Sequence, residues 1–127
     1  MREILFRGKR NKDGEWVQGW FIGKTRNEPY KLPRKKYTIV DENLIAHYIV
    51  PSTICQFTGL TDKNGNKVFE GDIAKVDEDI YVCFWNECNY EFGFTNSKRD
   101  FGIAYAQDIE IIGNIIDNKE LLEQDNR

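Results

Sequence analysis

The sequence is poor in cysteine and histidine and has no long hydrophobic run. Its three cysteines are odd in number and follow no secretory signal, which argues against a disulfide framework and predicts reduced thiols in a cytoplasmic protein. A single histidine leaves one possible base for Ser/His/Asp catalysis. No apolar stretch reaches membrane-spanning length, and the chain shows no internal repeat. We therefore expect no membrane partner.

The composition favours a packed interior. Hydrophobic residues make up 40% of the chain and aromatic residues 13%, which is too much apolar material for a disordered protein. A length of 127 residues allows one compact unit or two small ones that share a core. It leaves no room for a large enzyme, and we expect the chain to fold unaided.

Charge is distributed unevenly along the chain. Residues 1–40 hold eleven basic and four acidic residues, a net charge of +7. Residues 41–127 carry a net charge of −10. The overall charge of −3 and the isoelectric point of about 5.2 therefore conceal a basic N-terminal part and an acidic C-terminal part. Such parts neutralise each other either within one chain or between the subunits of an oligomer.

The N-terminal segment predicts a β-hairpin. Two strand-like runs, EILF and WVQGWFIG, flank Asp13-Gly14, which supplies the turn. Trp16, Trp20 and Ile22 fall on one side of a period-two pattern. We therefore expect both tryptophans in the core.

A basic segment, residues 24–36, follows the hairpin. It contains Pro29 and Pro33 and predicts an irregular loop. Lysine and arginine are interspersed there with tyrosine, a pattern that suits phosphate contacts and base stacking. The negative net charge of the whole chain, however, is untypical of a nucleic-acid-binding domain. The candidate residues for binding nucleic acid or another partner are Lys24, Arg26, Tyr30, Lys31, Arg34, Lys35 and Lys36.

The rest of the chain reads as a series of short strands. YTIV and LIAHYIV lead to Pro51, and STICQFT continues as a further strand. Asn64-Gly65 is a strong hairpin signal that brings residues 56–58 close to residues 68–69. IYVCFW, YEFGFT, FGIAYA and IEIIGNII follow at the spacing of a small sandwich or barrel.

The C-terminal tail predicts a short helix. Asp117 or Asn118 is positioned to cap it, and Glu120 favours its first turn. Leu121 and Leu122 supply an apolar face for docking.

Three motifs in this order resemble the YopX family of small phage and prophage proteins. They are REILFRGKR followed by GEWVQGW, then QFTGLTDKNGNKVFEGDIAKV, then EIIGNIIDNKELL, and together they span nearly the whole chain. The resemblance implies a mainly β protein of phage or prophage origin with an SH3-type small β-barrel in its C-terminal half. We therefore expect an N-terminal β-hairpin region, residues 1–55, packed on an SH3-type barrel with a terminal helix, residues 56–127. The tail departs from the family pattern, because Lys119 stands where a proline is usual and a preorganised φ is lost.

The resemblance implies no catalytic or binding residues, so the central motif is interpreted from its own residues. Gly59, Gly65 and Gly71 stand where tight turns need a residue without a Cβ, and Asp72 is placed to accept hydrogen bonds from backbone amides in its own turn. A phosphate-binding glycine loop is the alternative, but no Lys-Ser/Thr pair accompanies these glycines. We interpret all four residues as structural.

Other candidate chemistry is weak. Cys55, Cys83, Cys88 and His47 are zinc-ligand types, but they contain no second close pair, and Cys83 lies inside an apolar strand. The acidic run 77–79 reads as a solvated loop. We expect no metal and no cofactor.

The sequence favours a non-enzymatic binding or adaptor module that acts on a host or phage protein. One alternative is a nucleic-acid-binding protein that uses residues 24–36, and another is an enzyme with an unrecognised site. The charge asymmetry also permits a homo-oligomer.

Overall fold

The fold is mainly β, as expected. The computed structural model describes residues 4–26, 35–102 and 108–125, which form two antiparallel sheets and one short helix. The chain divides into two compact units, Met1–Gln56 and Phe57–Arg127. Within the part of the chain that is described, no helix is long and apolar enough to cross a membrane.

The first unit is built on one antiparallel sheet. Its strands are β1 (Phe6–Lys9), β2 (Trp16–Arg26), β3 (Lys35–Val40), β4 (Ala46–Ile49) and β5 (Cys55–Thr61). They follow the order β4-β3-β2-β1-β5. Strand β5 crosses the boundary between the units, and its first residues pair with β1 through Arg7↔Cys55 and Phe6↔Gln56.

The predicted N-terminal hairpin is confirmed, because β1 and β2 pair antiparallel. In the turn between them, the Asp13 carboxylate accepts hydrogen bonds from the Glu15 amide and the Arg10 Nε, each at 3.0 Å. Gly14 has a φ of 72°, in the left-handed region that glycine adopts without a steric penalty.

One face of this sheet carries the core of the first unit. Ile39 and Ile49 are almost fully buried there. Phe21 lies opposite Ile39 in the register, and its ring centroid is 5.5 Å from that of Phe6 and 6.2 Å from that of Tyr37. The core therefore forms from residues that alternate along neighbouring strands.

Gly19 allows β2 to approach β3 closely. A Cβ built at this position would lie 2.0 Å from the Val40 carbonyl oxygen, far inside van der Waals contact. Because the obstacle is backbone, it cannot rotate away as a side chain would. This part of β2 therefore requires glycine.

The predicted strand STICQFT is wrong in its first half, where Pro51–Thr53 forms a 3-10 turn. The Thr53 hydroxyl donates to the Val50 carbonyl at 2.6 Å and accepts the Lys9 amide at 2.8 Å. These local side-chain bonds compete with extended pairing, as is common for threonine. The strand begins only at Cys55.

The second unit contains a five-stranded sheet and one short strand that pairs with β5 and ends the six-stranded sheet. Its strands are β6 (Lys67–Phe69), β7 (Asp72–Val76), β8 (Asp79–Asn86), β9 (Glu91–Thr95), β10 (Asp100–Gly102) and β11 (Glu110–Asn114). The sheet order is β10-β9-β8-β7-β11. The predicted Asn-Gly hairpin is confirmed by the pairs Phe57↔Phe69 and Thr61↔Lys67.

Aromatic rings dominate the core of the second unit. Phe94 is fully buried and stacks on Phe101 with ring centroids 5.2 Å apart, and Tyr81 meets Phe101 edge to face at 4.8 Å. The buried members of this cluster are Val68, Ala74, Tyr81, Cys83, Phe92, Phe94 and Ile109. Cys83 thus behaves as a small apolar residue of the core.

The five-stranded sheet is open. Among the residues described, its two edge strands β10 and β11 do not pair with each other. The SH3-type barrel and the packing of the first region on it therefore stay predictions.

The predicted C-terminal helix is present as α1 (Glu120–Asp125), and the two residues expected to cap it bond the turn that precedes it. The Asn118 side chain turns back and accepts the Asn114 amide at 3.1 Å, and the Asp117 carboxylate accepts the Asn114 side-chain amide at 3.3 Å. The chain leaving β11 therefore uses both candidates to close its own turn. The backbone carbonyl of Asn118 accepts the Leu121 amide at 3.0 Å.

Candidate functional site

The basic segment 24–36 is strand at both ends, so the prediction of an irregular loop throughout is wrong there. The register sets Arg26 opposite Lys35 and Thr25 opposite Lys36. Backbone groups make this pairing, so basic residues can take part in it. The structure places Lys24, Arg26, Lys35 and Lys36 on these paired strands, whereas Tyr30, Lys31 and Arg34 lie outside the described residues.

The register also gathers aromatic residues on the sheet face opposite the core. Trp20 lies opposite Val40, and Tyr48 lies opposite Thr38, two positions along the same strand. Because side chains alternate along a strand, Trp20 and Tyr48 share one face, and Trp16 shares it with them. We call this surface the aromatic face and define it as Arg7, Lys9, Trp16, Trp20 and Tyr48, together with the exposed Ile22 at the irregular position of the β2–β3 register.

Much of the aromatic face is open to solvent. Trp20 is 53% exposed, Ile22 52% and Tyr48 45%. The expectation that Trp16 and Trp20 are core residues is wrong for Trp20, and Trp16 is only half-buried. A period-two pattern shows which residues share a face, but not which face is buried.

Two cations lie over the Trp16 ring. The Arg7 guanidinium carbon is 4.9 Å from the ring centroid and the Lys9 Nζ is 5.4 Å from it. Each such contact contributes about 0.5–1 kcal/mol at an exposed site. Arg7 and Lys9 lie two positions apart on β1, so both side chains are on the same face of the sheet. This spacing of charged residues is the sequence signal that could have identified the exposed face.

The predicted turn residues occupy two kinds of position. Gly65 and Gly71 lie in turns with φ of 83° and 87°. Gly59 has a φ of 95° but lies inside β5, where the register with β6 is irregular. Asp72 is 1% exposed, and its Oδ2 accepts the Phe69 amide at 2.7 Å. These four residues shape the backbone of the second unit.

Asp62 is a structural residue that the sequence analysis missed. Its Oδ1 accepts the amides of Asn64 at 2.9 Å and Asn66 at 2.8 Å, and its Oδ2 accepts the Ile111 amide at 2.9 Å. Burial opposes ionisation of this carboxylate, but the amide of Ile111 and then those of Asn66 and Asn64 outweigh it and hold the pKa of Asp62 below its usual value. The carboxylate therefore joins the Asn-Gly turn to β11.

The single histidine is held by a carboxylate. His47 Nε2 lies 2.7 Å from Asp41 Oδ2 in the β3–β4 region, and this bond, followed by those from the Ile45 and Asn43 amides, lowers the pKa of Asp41. Among the described residues, no three His, Cys, Asp or Glu side chains gather into a group that could hold a metal ion.

The three cysteines carry thiols, with Cys55 and Cys83 buried and Cys88 exposed. The Cys55 Sγ donates to the Thr53 carbonyl at 3.3 Å. The three free thiols agree with the reduced cysteines predicted from the sequence.

Comparison with known proteins bears on the resemblance seen in the three sequence motifs. None of the curated proteins matches the chain. The family model described as YopX protein matches residues 5–123, which is nearly the whole chain and includes both units. The chain therefore belongs to the YopX family.

Proposed function

We propose that this protein is a non-enzymatic binding module of phage or prophage life in the bacterial cytoplasm, and that its aromatic face engages an acidic surface on a host or phage protein. The observation that carries the proposal is the group of exposed aromatic side chains beside two cations on one ordered sheet. A sheet fixes the backbone that carries these side chains, and Trp and Tyr have only two side-chain torsions to order, so little conformational entropy is lost on binding.

The residue types favour a protein partner. Trp, Tyr and Arg are the residues that most often dominate the energy of protein interfaces. A Trp side chain buries roughly 150–250 Å² in total, so covering the exposed half of Trp20 contributes about 2–3 kcal/mol. Tyr48 adds a smaller area, because it is 45% exposed.

Charge supports an acidic partner. Residues 1–40 carry +7, and Arg7 and Lys9 add local positive charge at one side of the aromatic face. Complementary charge speeds association and fixes the orientation of the partner. A second copy of the chain is a competing acidic partner, because residues 41–127 carry −10.

The absence of enzymatic activity is part of the proposal. His47 bonds the Asp41 carboxylate through Nε2, and among the described residues no side chain makes a second hydrogen bond to its ring. A nucleophile paired with this imidazole is therefore not assembled in that part of the chain.

The test compares capture of host and phage proteins by the wild-type chain, a Trp20→Ala/Tyr48→Ala variant and an Ile45→Ala control. Ile45 is 54% exposed in the same unit but lies in the turn before β4. We expect an acidic protein that the wild type and the control retain and the double variant loses by at least tenfold. Equal recovery by all three would contradict the proposal, and a concentration-dependent dimer lost in the double variant would identify a second copy as the partner.

Nucleic-acid binding is the second candidate function. The specific observation is that the β2–β3 register sets basic residues opposite one another, including Arg26 and Lys35, and like charges in such pairs destabilise a sheet until an anion compensates them. Fluorescence anisotropy of labelled single-stranded DNA, duplex DNA and RNA at low and near-physiological salt tests it. Saturable binding that weakens steeply with salt, and that is lost when Arg26, Lys31, Arg34 and Lys35 become Glu, would favour this function.

We further propose that the second unit is a small barrel of the SH3 type. In its five-stranded sheet the last strand in sequence, β11, pairs with the first, β7, while β7 to β10 form a continuous meander. Pairing of β11 with β10, the other edge strand, would close this sheet into a barrel. Proton NMR contacts between the edge strands β10 and β11 would support closure of the barrel. Solvent-exposed amides along both edge strands would contradict it.

A further inference from the structure

The Asn64-Gly65 pair in the turn between β5 and β6 carries a reactivity that its structural role does not use. Of the asparagines in the chain, Asn64 alone is followed by glycine, and both residues of the pair are exposed. The backbone nitrogen that follows an asparagine can attack the carbon of the side-chain amide, and in a glycine no Cβ shields that nitrogen. Deamidation through a cyclic imide is therefore chemically accessible at this pair.

The closed turn engages the attacking nitrogen in another bond. The Gly65 amide donates to the Asp62 carbonyl at 3.0 Å, and the Asn64 amide donates to Asp62 Oδ1 at 2.9 Å. Attack requires the Gly65 nitrogen to leave this bond and lose its proton. Asp62 is only 4% exposed, and its carboxylate fixes the turn through several backbone amides. Opening of the turn is therefore the step that controls the reaction.

The turn between β3 and β4 has the same hydrogen-bond pattern and provides a comparison within the chain. There the Leu44 amide donates to the Asp41 carbonyl at 2.9 Å, and Asp41 Oδ1 accepts the Asn43 amide at 2.9 Å. Leu44 has a φ of 63°, in the same left-handed region as Gly65. The nitrogen after Asn43, however, belongs to a residue whose Cβ and branched side chain hinder attack. Asn43 is therefore the matched control for Asn64.

We propose that Asn64-Gly65 is a self-modification site whose rate is set by Asp62. When the turn opens, the Gly65 nitrogen bonds to the Asn64 Cγ, and its proton joins the side-chain NH₂, which leaves as ammonia. Water then adds to the cyclic imide, and cleavage of one or the other imide C–N bond gives aspartate or isoaspartate at position 64. Water is the only co-reactant, and the reaction does not depend on the aromatic face.

The modification loosens the turn. In isoaspartate the main chain runs through the former side chain, which adds one methylene to the backbone. The turn closes through the Asp62 amide, which donates to the Asn66 carbonyl at 2.8 Å, while the Asp62 carboxylate reaches the Ile111 amide at 2.9 Å. A longer backbone between Asp62 and Asn66 displaces these groups, and the new carboxylate repels that of Asp62. The product therefore weakens the link between the turn and β11.

The experiment incubates the full chain at neutral pH and measures deamidation of each asparagine by mass-spectrometric peptide mapping. In urea, which unfolds the chain, we expect Asn64 to convert at least tenfold faster than Asn43. In the native chain, Asn64 should convert at least tenfold more slowly than in urea, because it reacts only from the open turn. Conversion of Asn64 no faster than that of Asn43 in urea, or equal rates in the native and unfolded chain, would overturn the proposal.

Variants separate the chemistry from its control by Asp62. Gly65→Ala should slow conversion of Asn64 in urea about tenfold, because the added Cβ shields the nitrogen, and an unchanged rate would refute attack by this nitrogen. Asp62→Asn should speed native conversion about tenfold or more, whereas Asp41→Asn, in the matched turn, should leave it unchanged.

A last variant distinguishes opening of the turn from unfolding of the whole unit. Phe94→Leu alters the fully buried core of the second unit but leaves the hydrogen bonds of the turn in place. Compared with Asp62→Asn at a urea concentration that gives the same unfolded fraction, it should speed conversion at least fivefold less. Equal acceleration by the two variants would assign the reaction to global unfolding and overturn the role of Asp62.

Discussion

Replacing Asp62 by Asn removes a negative charge but preserves the shape of the side chain. In the wild type, one carboxylate oxygen accepts two amides of its own turn and the other accepts the Ile111 amide. An asparagine has only one acceptor oxygen, so its NH₂ group must face at least one backbone N–H in either orientation. The variant therefore loses charge-assisted bonds and places two donors against each other at a buried site.

The magnitude follows from these losses. Hydrogen bonds to a charged group contribute about 1.5–3 kcal/mol each, and a buried donor without an acceptor costs about 1–3 kcal/mol. Partial relaxation and the one remaining acceptor reduce the sum, so we expect Asp62→Asn to lower the free energy of unfolding at pH 7 by about 2–4 kcal/mol. Urea unfolding followed by circular dichroism measures it, with Asp13→Asn, at an exposed turn, as the control with a much smaller effect.

The pH dependence provides a second, independent check. The pKa of Asp62 is lowered in the folded chain, so its contribution is fully present above the aspartate pKa of the unfolded chain, about 3.9, and is lost as the pH falls through the folded pKa. The difference in stability between wild type and variant should therefore shrink below about pH 4. An unchanged urea midpoint at pH 7, or a difference that persists undiminished in acid, would refute the reasoning.

Three further predictions concern the backbone and the histidine. Gly19→Ala should destabilise the first unit by about 2 kcal/mol or more, because a Cβ meets the Val40 carbonyl; a thermal midpoint equal to the wild type would contradict this. Gly65→Ala should cost only about 1–2 kcal/mol, since its φ of 83° is strained for alanine but no atom lies within 4 Å of the added Cβ; a loss in urea unfolding as large as that of Gly19→Ala would be inconsistent with it. His47→Phe should raise the pKa of Asp41 toward its ordinary value, because its largest lowering contact is removed; carboxyl NMR titration measures this, and an unshifted titration would show that the backbone amides alone hold it.

The sequence predicted local structure well where a turn or an alternating pattern carried the information. Asp13-Gly14 and Asn64-Gly65 each specify a hairpin by their own backbone preferences, and both hairpins are present. The 3-10 turn before Cys55 was missed because hydrogen bonds of the Thr53 side chain, one of them to the distant Lys9 amide, override strand propensity.

The candidate site was harder to predict, because it depends on relations between strands. Hydrophobicity predicts a core position for Trp20. Its actual exposure depends on which of the two sheet faces is buried, and the sequence pattern does not say which. Asp62 looked like an ordinary turn residue, since its third partner, Ile111, is 49 residues away along the chain. No local pattern encodes a contact of that separation.

This separation has a consequence for synthesis on the ribosome. At roughly 5–20 residues per second, the Asp62 carboxylate waits about 2–10 s after its own addition before the Ile111 amide is made. During that interval β7 also lacks its neighbour β11, so the second unit exposes a strand edge and an unmatched acceptor together. Nascent chains that stall before Ile111 therefore keep this edge of β7 unpaired, and only the addition of β11 covers it.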